Sequence, residues 1–410
     1  MESIKQNKYS VHLDKIILTL LAIQIAAVSI SIAVSSIAFG LWTGLWLIQI
    51  ITDRKINYDK DLFSEIKIVN YFILAYIFFE ILSRFFALYP EGAFNNLKRL
   101  LLFLIFYVSI IKIIDFKTLC RLLLLNISAV SIISIIELIQ YAVKFGSMIN
   151  QMPFSEIRID YFNYPLTSGE IKMISFLSLF PLLFLKDKFI IEKKYILSIL
   201  IPVFISMILT QSRNVFLALF ICFVIYGIVA NKKFLMAFFI VLIAGWLILP
   251  SAFTERTASI IDLNHQSNAT RLRMWDVGLK MFADHPLTGI ADSHIKEIYS
   301  TYSIPQSEAE GVHLHNNFIM ILATTGIFGF FSYIGMFLSI FLKQIKYYRQ
   351  STDPVKKMLL LGSILVMISF QISGIFEWSF GDHEVMTVFF FLTGVPFVIS
   401  KLQENIQQKI

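Results

Sequence analysis

From Ile16 to Ile51 the chain runs without a single Asp, Glu, Lys or Arg. About 20 apolar residues carry a helix across the hydrocarbon core of a bilayer, so this run is too long for one crossing. Ser35-Ser36 and Gly40 offer a break, and two spans are expected there. Comparable apolar runs follow at Ile68–Leu88, Leu100–Ile111, Leu119–Val143, Ile174–Leu185, Tyr195–Thr210, Val215–Ala230, Phe234–Leu249, Phe318–Leu342, Met358–Phe376 and Val385–Ser400. The pattern predicts an all-α membrane protein of about twelve transmembrane helices. A soluble fold is excluded by composition: 57% of residues are hydrophobic and 15% are charged, against about 25% charged in an average soluble domain. The run from Ile16 continues far past a signal-peptide core, so no cleavage is expected.

An even number of spans puts both termini on one side. With the N-terminus cytoplasmic, most of the 35 basic residues fall in cytoplasmic segments, as the positive-inside rule requires. Both long polar loops, Lys144–Lys172 and Pro250–Gly311, then lie outside. The net charge of +7 therefore reads as a topology signal, and no basic stripe or arginine–aromatic platform suggests nucleic acid. The expected organisation is one polytopic domain over residues 1–410. A large outer loop, residues 250–314, lies between spans 9 and 10 and is partly helical. Its stretch Thr270–Ala283 is rich in helix formers and is ended by Asp284-His285-Pro286. Cys120 and Cys222 sit beside or within apolar runs and read as small buried residues, not a disulfide.

Polar residues at the lip of a membrane protein are costly and need a reason. Three places stand out. Thr210-Gln211-Ser212-Arg213-Asn214 interrupts two apolar runs with almost no loop. Arginine offers a rigid fork of donors suited to phosphate, although a snorkelling helix-end arginine gives the same pattern. Asn268-Ala269-Thr270-Arg271-Leu272-Arg273-Met274-Trp275 carries two arginines two positions apart, which on a helix point to different faces. Gly311-Val312-His313-Leu314-His315-Asn316-Asn317 leads into the tenth span, in which Gly326 and Gly329 allow close approach of a neighbouring helix. A histidine there can act as a general base near neutral pH. His313 and His315 show no recognised metal-ligand spacing, and no metal is expected.

His315-Asn316 followed by Gly326-x-x-Gly329, the run Leu209-Thr210-Gln211-Ser212-Arg213, and Thr270-Arg271-Leu272-Arg273-Met274-Trp275 followed by His285-Pro286-Leu287-Thr288-Gly289 together resemble the O-antigen ligase and O-antigen polymerase superfamily. The resemblance is best from about Leu209 to Phe330. It implies a bacterial inner-membrane enzyme with both termini cytoplasmic and its active site facing the periplasm. The implied reaction moves a glycan from undecaprenyl diphosphate to a sugar hydroxyl, with inversion and without metal, cofactor or ATP. His315 would be the general base, and Arg213 and Arg271 the diphosphate-holding arginines. Arg273, Asn316 and His313 would contact substrate, with Arg273 the fallback for Arg271. The acceptor is the lipid A core for a ligase and another lipid-linked glycan for a polymerase.

Other polar residues read less sharply: Asn317, Tyr161, Tyr164 and Glu170, and Glu377, Asp382, His383 and Glu384 before the last span. Glu80 and Arg84 are four apart and expected to pair; Lys98 and Arg99 lie near an outer lip. A transporter of lipid-linked glycans is the alternative from another class. It should place charge along a mid-membrane path, whereas these spans read as almost uncharged.

Overall fold

The structure, a computed structural model, describes residues 8–53, 60–148, 151, 157–160, 162–186, 189–248, 262, 266–303 and 313–407. Among them there is no strand. In chain order the helices are α1 (Lys8–Ala27), α2 (Ile32–Asp53), α3 (Lys60–Glu65), α4 (Lys67–Phe85), α5 (Phe103–Lys112), α6 (Phe116–Met148), α7 (Pro165–Leu179) and α8 (Lys193–Leu209). They continue with α9 (Arg213–Val229), α10 (Lys232–Ile248), α11 (Gln266–Asp284), α12 (Ile295–Tyr302), α13 (Asn317–Gln350), α14 (Pro354–Ser373) and α15 (His383–Gln407). Among the described residues, seven stretches are long and apolar enough to cross a membrane: Ile32–Thr52, Lys67–Phe85, Phe116–Met148, Pro165–Phe184, Asn317–Gln350, Pro354–Ser373 and His383–Gln403. Every expected span coincides with a helix, but five fall outside these seven stretches: α1, α5 with 10 residues, and α8, α9 and α10 with 17 each. Length and apolarity by themselves thus account for seven crossings, not twelve.

Helix starts follow from local side-chain chemistry. Asp115 accepts the amide of Thr118 ahead of α6, Asn231 that of Phe234 ahead of α10, and Asp353 that of Lys356 ahead of α14. Each side chain satisfies a first-turn N–H that no helical carbonyl can reach. The break between the first two helices lies at residues 28–31, earlier than Ser35-Ser36 or Gly40 suggested. There the Ser31 hydroxyl accepts from Val34, while Gly40 lies within α2 with open space beside it.

The long helices pack as pairs: α1 on α2, α4 on α13, α6 on α8, α5 on α15, and α14 against both α7 and α9. By contrast α10 buries none of its residues, and Leu247 and Ile248 are about 80% exposed. A helix apolar on its outer face needs lipid as its solvent.

The interior is less bare of charge than the sequence suggested, because its charges occur in neutralising clusters. Arg84 pairs with Glu80, as expected, and also with Asp292; Arg99 joins both carboxylates, and Asn96 and Tyr76 add hydrogen bonds. Lys172 reaches Glu137 at 2.5 Å, with the Ser206 hydroxyl donating to the same carboxylate. Buried charges persist only when paired in this way.

Beside the main core, Met274, Val277 and Met281 of α11, Ile298 and Tyr299 of α12, and Leu314, Met320 and Ala323 form a second apolar cluster. It seats α11 and α12 on the start of α13. Helix α13 is broken at Gly326, where φ is 69°. The segment Pro286–Ala291 lies in the break: Ile327 donates to the Pro286 carbonyl at 2.8 Å, and Ile290 and Ala291 donate to those of Ala323 and Thr324 at 3.0 Å. A Cβ on Gly326 would collide with the Leu287 carbonyl. Gly326 therefore receives the loop, whereas Gly329 faces Phe79 of α4. The expected close approach of a helix holds for the second glycine only.

Candidate functional site

Leu314 is the anchor between the two histidines. It is fully buried in the second apolar cluster, and the space a side chain on Gly278 would need is filled by Leu314 and Ile319. The backbone then turns through a left-handed conformation at His315, φ 45°. A non-glycine residue held there stores strain of a kind concentrated at functional sites. Asn316 follows as the cap of α13, its side chain accepting from Phe318 at 2.8 Å and Ile319 at 3.0 Å. Buried Leu314, the turn and the cap fix the imidazoles of His313 and His315 side by side, ring centres 4.1 Å apart, each partly open to solvent.

Glu377, from the segment between α14 and α15, closes on both rings. Its two carboxylate oxygens lie 3.1 and 3.0 Å from His315 Nδ1, and His313 Nε2 is 3.9 Å away. Burial opposes ionisation of this carboxyl, but the hydrogen bond from His315 and the electrostatic pull of the two imidazoles outweigh it and hold it below the usual carboxylate range. A carboxylate can only accept, so Nδ1 of His315 is the donor, and in the neutral ring Nε2 then carries the lone pair. Burial and the neighbouring His315 push His313 down to about 4, leaving it neutral at pH 7.

Backbone contacts lock this arrangement. The amide of Asn317 donates to the Gly374 carbonyl at 2.6 Å, and the Asn317 side chain accepts from Phe380 at 3.0 Å. The segment bearing Glu377 is thereby tied at both ends to the start of α13.

Of the two loop arginines, Arg271 is half-buried on the face of α11 that looks at the site. One turn on, Trp275 packs against Phe376 with ring centres 6.1 Å apart, next to Glu377. Burial pulls the Arg271 guanidinium below its ordinary value, partly countered by the Glu377 charge. Arg273 is exposed, bonded to the Thr270 hydroxyl at 3.0 Å, and near Tyr299 on the opposite side. Arg213 is the first residue of α9, after Gln211 in a left-handed turn. Its neighbour Asn214 is bonded to Glu170 at 3.0 Å and to Ser373 at 2.8 Å, directly before Gly374. The turn holding Arg213 is thus connected through Ser373 and Gly374 to Asn317 and the histidine segment.

Two cavities open here. One, of about 580 Å³, is lined by Lys98, Arg99, His313, Trp378 and His383 above apolar Phe39, Leu101, Leu102 and Met320. The other, of about 650 Å³, is lined by Arg158, Asp160, Phe162, Asn163, Tyr164, Thr167 and Glu384. Arg99 stacks over Trp378 at 5.4 Å and is bound to Asp292 and Glu80, so it braces the wall. Arg158, which drew no attention in the sequence, donates to the Thr210 carbonyl at 2.7 Å and supports the turn before Arg213. His294 contacts the Glu91 carbonyl. Tyr161 lies outside the described residues.

The histidine–carboxylate contact was not legible beforehand. Glu377 stood out only as one polar residue in an aromatic segment, 62 positions from His315. Lone-pair geometry at long sequence separation has no local signature.

Residues 197–334, about a third of the chain, match the family model described as O-antigen ligase, and this segment is similar to that family. The matched stretch holds Arg213, Arg271, His313 and His315 but ends before Glu377. No curated protein matches the chain.

Proposed function

We propose, taking the O-antigen ligase match over residues 197–334 as the premise, that this chain is a metal-independent, inverting glycan ligase. It would move a glycan from undecaprenyl diphosphate to a sugar hydroxyl of the lipid A core at the periplasmic face of the inner membrane. The observation that carries the reading is the contact between His315 Nδ1 and the buried Glu377 carboxylate, 3.0 Å long.

That contact leaves Nε2 as the acceptor of a proton. An acceptor hydroxyl placed at Nε2 gives up its proton as its oxygen attacks the anomeric carbon. The bond from that carbon to the diphosphate oxygen breaks, and the electron pair leaves with the lipid diphosphate. Attack opposite the leaving group inverts the centre. Arg213 and Arg271 supply the positive charge that meets the growing negative charge on the diphosphate. Glu377 stabilises the imidazolium formed on His315, in the way a buried carboxylate orients and supports a catalytic histidine. The cavity lined by Lys98 and His313 above apolar side chains suits a substrate with a charged head and a lipid tail. The cluster of sites at one end of the bundle, and the pairing of buried charges into neutral groups, favour an enzyme over a transporter.

The test is complementation of two hosts, one lacking its O-antigen ligase and one its O-antigen polymerase, each given wild-type protein or His315→Ala. Glycan on the lipid A core in the first host, lost with His315→Ala, is the expected result. Long lipid-linked chains in the second host alone would overturn the acceptor assignment in favour of polymerisation. Activity retained by His315→Ala would overturn the base.

A further inference from the structure

His313, His315 and Glu377 bring three metal-donor groups together. His313 Nε2 is 3.9 Å from one Glu377 oxygen and His315 Nδ1 is 3.0 Å from the other, and one donor atom from each residue lies within 4.8 Å of the other two. Zinc with tetrahedral bonds of about 2.0–2.1 Å separates its donors by roughly 3.3 Å, so modest side-chain rotation brings this set into register. The remaining nitrogen of His313, Nδ1, is buried without a hydrogen-bond partner, so that ring is not committed elsewhere. Two imidazoles and one carboxylate with an open fourth position is a donor set that suits zinc.

We propose that His313, His315 and Glu377 bind one divalent cation of the zinc type, and that the bound ion switches transfer off. The second half rests on the function proposed above. A metal on Nδ1 of His315 displaces the Glu377 hydrogen bond, and the ring proton moves to Nε2. The nitrogen that should take the acceptor's proton then already carries one. The same three side chains cannot be base and ligand at once. Arg271, whose charge reaches both Glu377 and His313, disfavours a further cation. Binding is accordingly weaker than at a structural zinc site and reversible by chelators.

The experiment uses the full-length chain, purified in detergent and stripped of metal, with Co2+ as the optical probe. The expected result is one Co2+ per chain with the intense visible bands of a four-coordinate ion, bleached by one equivalent of Zn2+. Those bands should be lost in Glu377→Gln and in His313→Ala. His313→Gln serves as a second variant if the alanine chain does not fold, with monodispersity on gel filtration as the control. Absence of the bands in the wild type, or their persistence in folded variants at both positions, would overturn the site. Transfer by the wild type should fall as Zn2+ is added and return with EDTA. Undiminished transfer while the bands report full occupancy would overturn the switch. If the metal-free wild type shows no transfer at all, the ligase reading fails, and the cobalt titration still decides the site.

Discussion

Both carboxylate oxygens of Glu377 lie within 3.1 Å of His315 Nδ1, although 62 residues separate the two in the chain. The contact decides which imidazole nitrogen can act, because an ionised carboxylate accepts only from a protonated Nδ1. It also ties the turn before α15 to the segment before α13.

Glu377→Gln keeps the size of the side chain and removes its charge. The amide can present its oxygen to Nδ1, so orientation survives while stabilisation of the imidazolium is lost. Transfer should fall by about 10²- to 10⁴-fold, within the range for losing support of a general base. KM should change little by comparison with kcat. Steady-state kinetics on a purified donor would check this, and an unchanged kcat would remove Glu377 from the mechanism.

The two loop arginines should separate cleanly. Arg271 faces Glu377, and Arg273 is exposed on the other side of α11. Arg271→Ala should reduce transfer by about 10²- to 10³-fold, the usual size for one transition-state donor. Arg273→Ala should stay within a few-fold of wild type. The reverse ranking in a transfer assay would exchange their roles.

At the turn before α9, Arg213→Ala should cripple transfer and Arg213→Lys should recover little. An ammonium provides one point of charge where the guanidinium provides a planar fork for two phosphate oxygens. Full activity of the lysine variant would show that charge alone suffices there.

Gly326→Ala tests the seat of the segment Pro286–Ala291 in the break of α13. The residue sits at φ 69°, and an added Cβ meets the Leu287 carbonyl. A non-glycine residue in that conformation costs about 1–3 kcal/mol, before the collision is counted. Thermal unfolding in detergent should begin earlier, and transfer should drop as well, because the loop segment carries α11 and Arg271. A variant as stable as wild type would mean that the loop docks differently.

His313 gives a pH signature of stability. Burial and His315 lower its pKa to about 4, whereas an unfolded histidine titrates near 6.5. Between those values the unfolded chain binds the extra proton, so stability rises with pH through that window. The contribution is fully present above about pH 6.5 and is lost as pH falls toward 4. His313→Gln should flatten that part of the curve of unfolding temperature against pH, and an unchanged slope would place the titration elsewhere.

Much of the architecture was legible from hydrophobicity alone. Lipid requires long apolar helices, and residues such as those from Ile16 to Ile51 leave the chain no other option. The helix around Thr270–Ala283 and its end at Asp284-His285-Pro286 were legible because capping and proline chemistry act over a few residues. The position of the first break was misplaced by a few residues, since serine and glycine inside an apolar helix look the same in sequence as serine and glycine at its end. The charged interior was underestimated for a different reason. Asp292 reaches Arg84 across 208 positions, and a charge neutralised at that distance reads locally as an unpaired cost.

What the sequence determined by itself was therefore the solvent of this protein, its helical content, and which polar residues stood where polarity is expensive. Those properties depend on one residue and its near neighbours. Only the tertiary structure decided which of them meet: that Arg271 and not Arg273 looks toward Glu377, that Gly326 holds a loop while Gly329 holds a helix, and that His313 and His315 share one carboxylate. Each of these is a matter of direction and distance between segments far apart in the chain. Packing sets such directions, through Leu314 in its apolar seat and Asn317 bridging to Gly374, and no local pattern carries them.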